Sequence, residues 1–210
     1  GLRFRSDSLI DAIRERDRKR SSEWYQNSWL NDRGFHGMDI PWYSPDLDDS
    51  SWDQIRVPGF WKSGPLEGVN GVVWYRKTIN IPEEMTGKEG KINLGVIVDA
   101  DSVFINGTHV GNTGYQYPPR RYRIPADLLH EGENSIVVRV ISNIGIGGFV
   151  NKKPYEIMVG DKKVDLKGTW KYKIGVEMDP LLPQTFIRSK PMGRYNAMIA
   201  PLKDYSFRGV

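Results

Sequence analysis

The sequence predicts an all-β sandwich, and three features of it say so. The 210 residues include seven Trp, ten Tyr and seven Phe beside 22 Gly and 13 Pro, a balance that favours strands and turns over a helix bundle. Apolar and polar residues alternate in short runs, the period of a strand with one buried face. Turn signals such as Asn106-Gly107, Gly132-Glu-Asn134 and Gly160-Asp161 separate these runs at regular spacing.

Ser6 to Leu30 is the exception and reads as a helix. Ser6, Asp7 or Ser8 can cap it, acidic Asp7 and Asp11 suit its positive end, and Leu9, Ile13 and Trp24 share one face. Its basic stretch Arg14 to Arg20 could meet an acidic partner. The interleaved Glu15 and Asp17, with Glu15 and Lys19 at i,i+4 spacing, favour a solvated helix face instead. Gly34 to Pro65 has no clean period. Asp46, Asp48 and Asp49 lack the ligand spacing of an EF-hand and fit turn chemistry, so no metal is expected. Ile55 and Val57 suggest a short strand.

Asn70-Gly71 is a hairpin signal, followed by a strand from Val72 to Ile81. On it Val73, Tyr75, Ile79 and Ile81 face one way, and Trp74, Arg76 and Thr78 the other. The chain is organised around Ile92 to Gly111. Ile92, Leu94, Val96 and Val98 alternate as one strand, Asp99 to Asp101 breaks the run, and Ser102 to Ile105 and Thr108 to Gly111 form a hairpin across Asn106-Gly107. An aromatic loop, Gly114 to Pro119, leads to a strand over Arg120 to Ile124 and one helical turn over Pro125 to Leu129. Strands follow at Ser135 to Ile141, Tyr155 to Val159, Lys163 to Leu166 and Trp170 to Ile174. The Pro-rich tail changes character, which places a boundary near residue 178. A start at Gly1 and an end in an apolar context suggest a piece of a longer protein.

Thirty basic against 26 acidic residues give a net charge of +4, too small for a nucleic-acid footprint. No apolar run is long enough to span a bilayer, and no signal peptide is visible. The absence of cysteine excludes disulfides and thiolate metal sites. No nucleophile elbow, zinc-protease helix, P-loop or dinucleotide fingerprint occurs, so no cofactor is expected. Gly145-x-Gly147-Gly148 only weakly matches a phosphate loop. His36, His109 and His130 read as surface residues. Asp99 and Asp101 could do acid–base work but more readily accept hydrogen bonds in a turn. A sugar-binding face is the sharper expectation, because aromatic rings stack on sugars and polar side chains satisfy hydroxyls. Its candidates are Arg76, Tyr115, Tyr117 and Arg120. Trp74 reads as core, while Tyr115 and Tyr117 are equally compatible with core and with exposure.

Several segments resemble the sugar-binding jelly-roll domain of family 2 glycoside hydrolases, a galactose-binding-like fold. They are Val57 to Trp61, Val73 to Thr78, Asp99 to Gly107 with Val110-Gly111, and Gly132 to Arg139. Asp165 to Trp170, Pro191, Tyr195 to Leu202 and Phe207 to Val210 further resemble the sialate O-acetylesterase family, where such a jelly roll is inserted into an SGNH-type esterase domain. That resemblance implies a helical lead-in over 1–38, the sandwich over 39–178 and, over 179–210, a return segment toward an α/β catalytic domain outside this chain. It implies a periplasmic or secreted bacterial parent that deacetylates sialic acids or similar acetylated sugars. No catalytic residue is carried over, and Asn196 is a candidate to line the parent's active site. The alternatives are a stand-alone carbohydrate-binding module and a structural spacer.

Overall fold

A computed structural model describes residues 7–37, 39–62 and 64–185. They form two compact units, one of residues 7–26 with 181–185, the other of residues 27–180. The expectations for the tail beyond 185, Asn196 among them, lie outside the described residues.

Helix α1 spans Asp7–Leu30. Its basic stretch is a solvated face, with the ion pairs Arg14–Asp11, Arg18–Glu15 and Lys19–Glu23 largely exposed. Glu15 pairs with Arg18 rather than with Lys19. In the first unit Asp17, 5% exposed, accepts from the backbone N–H of Thr185 at 2.5 Å, and Arg20 donates to the Pro183 carbonyl at 3.0 Å.

The second unit is the β-sandwich. Its six-stranded sheet runs in the order β1 (Asp53–Val57), β13 (Gly168–Glu177), β3 (Gly71–Ile81), β9 (Gly132–Ser142), β6 (Ala100–Ile105), β7 (Thr108–Thr113). The four-stranded sheet is β12 (Lys162–Asp165), β11 (Tyr155–Val159), β4 (Gly90–Leu94), β8 (Arg121–Ile124). A small third sheet orders β2 (Gly59–Phe60), β10 (Gly148–Phe149) and β5 (Ile97–Val98). The alternating residues of the two larger sheets meet in one core: Val73 and Tyr75 of β3, Val103 and Ile105 of β6 and Val138 of β9 pack with Ile92 and Leu94 of β4 and Ile157 of β11.

The opposite face of the six-stranded sheet is covered as well. Val72 and Trp74 of β3, Phe104 and Val137 pack with Trp42, Trp52, Phe35 and Tyr43 in a second apolar cluster. The covering segment includes the short helix α2, Arg33–His36, capped by Asp32. Trp74 is therefore core, and β3 is buried on both faces. Residues 27–37 fall in the sandwich unit. The reason is physical: Gly34 lies against the Trp74 indole, where any Cβ would collide.

The Asn106-Gly107 turn holds φ of 48° and 81° and joins β6 to β7. Three local expectations fail. Gly95, at φ 56°, ends β4, and the chain re-enters at β5 with Ile97 buried where Val96 and Val98 were expected. The stretch Ile92–Val98 is thus split between two sheets. Asn70-Gly71 makes no hairpin; Gly71, at φ 118°, opens β3 where any Cβ would collide with the Val176 carbonyl. Pro125–Leu129 is a hydrogen-bonded turn, Leu128 N–H to Pro125 carbonyl at 3.2 Å, rather than a helical turn.

Candidate functional site

The aromatic loop Gly114–Pro119 leaves β7 and enters β8, and a buried arginine holds it in place. Arg120 is fully buried. Its Nε donates to Asp101 Oδ1 at 2.5 Å, its Nη2 to the Asp99 carbonyl at 3.1 Å, and its Nη1 to the Pro118 and Gln116 carbonyls at 2.7 and 3.3 Å. Asp101 Oδ2 accepts from the Tyr122 hydroxyl at 2.6 Å. Burial, with the Asp101 carboxylate beside it, pushes the Tyr122 phenol well above its ordinary range, so it remains a donor. The Arg120 backbone is fixed too, with N–H to Gly95 carbonyl at 2.7 Å and carbonyl to Leu94 N–H at 3.0 Å.

What this base presents is aromatic. Tyr115 is 60% and Tyr117 77% exposed, their ring centroids 6.4 Å apart at an interplanar angle of 67°. Beside Tyr117 opens a cleft of about 400 Å³ lined by Asn93, Gly95, Arg121, Lys153 and Pro154. Asn93 is tethered by its Nδ2 to Glu156 Oε1 at 3.2 Å and to Met158 Sδ at 3.3 Å. Gly95 allows the chain near Lys153 to approach closely: a Cβ there would sit 2.7 Å from Lys153 Cβ and from the Tyr155 ring.

The structure therefore separates the residues that the sequence groups as sugar contacts. Tyr115 and Tyr117 reach solvent. Arg120 lies beneath them and spends its donors on the protein. Arg76 is elsewhere, on the Trp74 face of β3 and 5% exposed, donating to Asp49 Oδ2 at 3.0 Å and to the Trp42 and Ser44 carbonyls at 2.7 and 3.0 Å. It fastens the covering segment rather than facing the loop. Ion pairs with Lys171 and Arg76 outweigh the burial of Asp49 and hold its carboxyl below the usual range.

Sequence reasoning missed Asp32, fully buried, which accepts from Gly34 N–H, from Trp74 Nε1 at 2.9 Å and from Arg139 Nε at 2.6 Å. It also missed the cleft residues Arg121 and Lys153. Strand alternation was the available signal for Arg121, since consecutive Arg120 and Arg121 in the strand expected over Arg120 to Ile124 must face opposite sides.

The acid–base candidates are both engaged: Asp99 Oδ2 accepts from Asn143 N–H at 2.9 Å, and Asp101 is bound as above. The glycines at 145–148 serve packing, because a Cβ on Gly147 would meet the Trp61 ring at 2.7 Å. His36 packs on Trp29, His109 on Phe104, and His130 meets the Glu131 carbonyl. Among the described residues no cluster of three His, Cys, Asp or Glu could hold a metal ion, and no helix is long and apolar enough to cross a membrane.

No protein-family model matches the chain. It is similar to a protein assigned as a β-glucuronidase of Formosa agariphila, 32% identical over 145 residues, which are 63% of this chain and 14% of the relative. A second β-glucuronidase of that organism is 32% identical over 46% of this chain and 11% of its own length. A β-galactosidase of Thermoanaerobacter pseudethanolicus is 29% identical over 48% of this chain and 14% of its own. Among solved structures, a β-glucuronidase 2 of Bacteroides uniformis superposes with a TM-score of 0.45 at 19% identity, covering 62% of this chain and 15% of that one. A glycoside hydrolase family 2 member of Bacteroides cellulosilyticus does so with a TM-score of 0.44 at 24% identity, covering 63% and 18%.

These relatives overturn the sialate O-acetylesterase assignment, and they support neither an SGNH catalytic partner nor an acetylated substrate. The motifs read as esterase-like beyond residue 185 lie outside the described residues. The resemblance to the family 2 sugar-binding jelly roll agrees with the fold, a β-sandwich with an N-terminal helix. The chain spans 14% of the length of the first of these curated relatives and so resembles one domain of a glycosidase.

Proposed function

We propose that this chain is a non-catalytic β-sandwich domain of a larger β-glycosidase of the family 2 type, acting on β-glucuronides or β-galactosides. The observation that carries the reading is the 32% identity to a β-glucuronidase over 145 residues, a stretch that matches a small part of that relative. The site chemistry supports it. The carboxylates that could have served acid–base catalysis, Asp99 and Asp101, are tied to the backbone and to Arg120, while the exposed groups of the loop are tyrosines. Such a face suits holding a sugar or shaping a cleft better than breaking a glycosidic bond.

The test is hydrolysis of p-nitrophenyl β-D-glucuronide and β-D-galactoside by this chain and by a longer protein that contains it. Hydrolysis by the longer protein alone is the expected result. Turnover by the 210-residue chain itself, or a longer protein inert on both substrates, would refute the reading.

A further inference from the structure

We propose that the cleft beside the aromatic loop binds an acidic saccharide, with the Tyr117 ring as stacking platform and Arg121 and Lys153 reading the negative charge. The inference rests on the carbohydrate reading above and names the ligand class of this cleft.

Three observations converge. The first is rigidity beneath an exposed ring. Tyr117 is 77% exposed, yet the carbonyls on either side of it, those of Gln116 and Pro118, are both held by buried Arg120. A ring presented by a fixed backbone loses little freedom on binding, which is the condition for a useful platform.

The second is unspent charge. Arg121 and Lys153 line the cleft and are exposed, and among the described residues neither forms an ion pair or a side-chain hydrogen bond. The carboxylates nearby are already committed: Glu156 to Lys163 and Asn93, Glu89 to Arg123, Asp101 to Arg120. The cleft thus carries cations without counter-charges, and a planar guanidinium suits a carboxylate or sulfate.

The third is an acceptor in the same cleft. The Nδ2 of Asn93 is used by Glu156 and Met158, which turns the amide so that its Oδ1 is left to accept from a hydroxyl. A stacking ring, a hydroxyl acceptor and cations in about 400 Å³ match the size and chemistry of one or two charged pyranose rings. A single-stranded nucleic acid also combines stacking with anions. It would call for a basic groove that tracks a backbone, and a net charge of +4 over the chain offers no such track.

The test is calorimetric titration of the chain with tetragalacturonate, its methyl ester, a sulfated carrageenan tetrasaccharide and a short oligothymidine. Expected is saturable binding of the uronate, the sulfated sugar or both, with the two arms showing which acid is read. Methyl esterification should weaken uronate binding about tenfold or more, as should Tyr117→Ala and the double change Arg121→Gln with Lys153→Gln. These side chains are exposed, so the urea midpoint of each variant should match that of the unchanged chain. The proposal is overturned by measurable and equal binding of ester and acid, by full binding in either variant, by tighter binding of the oligothymidine, or by no heat with either acidic sugar. A longer protein that cleaves β-glucuronides while this chain ignores the probes removes this inference alone. Probe binding beside an inert longer protein removes only the glycosidase reading.

Discussion

Asp32→Ala tests the arrangement that holds the covering segment on the sandwich. The carboxylate is fully buried and accepts from three donors: Gly34 N–H at 2.9 Å, Trp74 Nε1 at 2.9 Å and Arg139 Nε at 2.6 Å. Removing it strands Arg139, which is 5% exposed and whose Nη2 already has no hydrogen-bond partner. Stacking over Phe35 at 5.2 Å does not replace a counter-charge. Breaking a buried pair from one side costs about 3–5 kcal/mol, a large share of the roughly 5–15 kcal/mol that a domain has. The assay is urea unfolding followed by tryptophan fluorescence, with the slope against urea checked for constancy. Adding Arg139→Met should recover part of the loss, because the stranded charge goes while Trp74 Nε1 and Gly34 N–H stay unpaired. A loss under about 1 kcal/mol for Asp32→Ala, or a double variant less stable than the single one, would refute the reasoning.

Asp49→Asn should destabilise by about 1.5–3 kcal/mol at neutral pH, since Arg76 and Lys171 lose a charged acceptor. The Asp49 carboxyl is held below its ordinary 3.8, so its contribution is present above that value and is lost as pH falls through the lower native one; the gap between variant and unchanged chain should close in acid unfolding curves taken below pH 3.8. Gly34→Ala should cost more than about 2 kcal/mol because its Cβ falls on the Trp74 indole. Gly114→Ala, with no atom within 4 Å of the added methyl, should stay within about 0.5 kcal/mol, and the same urea titration measures both. Arg120→Met should speed amide exchange at Tyr115, Gln116 and Tyr117, because it releases two carbonyls of their loop; unchanged exchange there would show that the guanidinium does not hold it.

The strands were legible wherever one face is buried and the other is not. Tyr155–Val159 and the Asn106-Gly107 hairpin follow from period 2 and from turn chemistry alone. Legibility failed where the chain changes sheet. The alternation over Ile92–Val98 is real as a pattern, but Gly95 at positive φ resets the phase and hands the chain from the four-stranded to the three-stranded sheet. It failed again over 32–52, whose aromatic residues have no period because they pack as an irregular cover on the second apolar cluster. The tyrosines of the site were visible as aromatics in a Gly/Pro loop. The roles of the arginines were not, because burial of a charge depends on a partner far along the chain: Arg139 meets Asp32 across 107 positions and Arg76 meets Asp49 across 27.

That difference among the arginines has a structural logic. A side chain on a central strand is flanked on both sides, and on β3 both faces are also covered, so Arg76 can exist there only with internal partners. At the edge strand β8 the constraint holds on one face alone. Arg120, immediately before β8, turns inward and is consumed by Asp101 and the loop carbonyls, whereas Arg121, the first residue of β8, turns outward beside a cleft and keeps its donors. The inward residue gives the loop its shape, and the outward one is left for a ligand. In a sandwich of this kind, cations able to meet a sugar are to be sought where a side chain is free of strand neighbours on one side, as Arg121 is on edge strand β8 and Lys153 is in the loop between β10 and β11, and not within the central strands that carry the strongest sequence pattern.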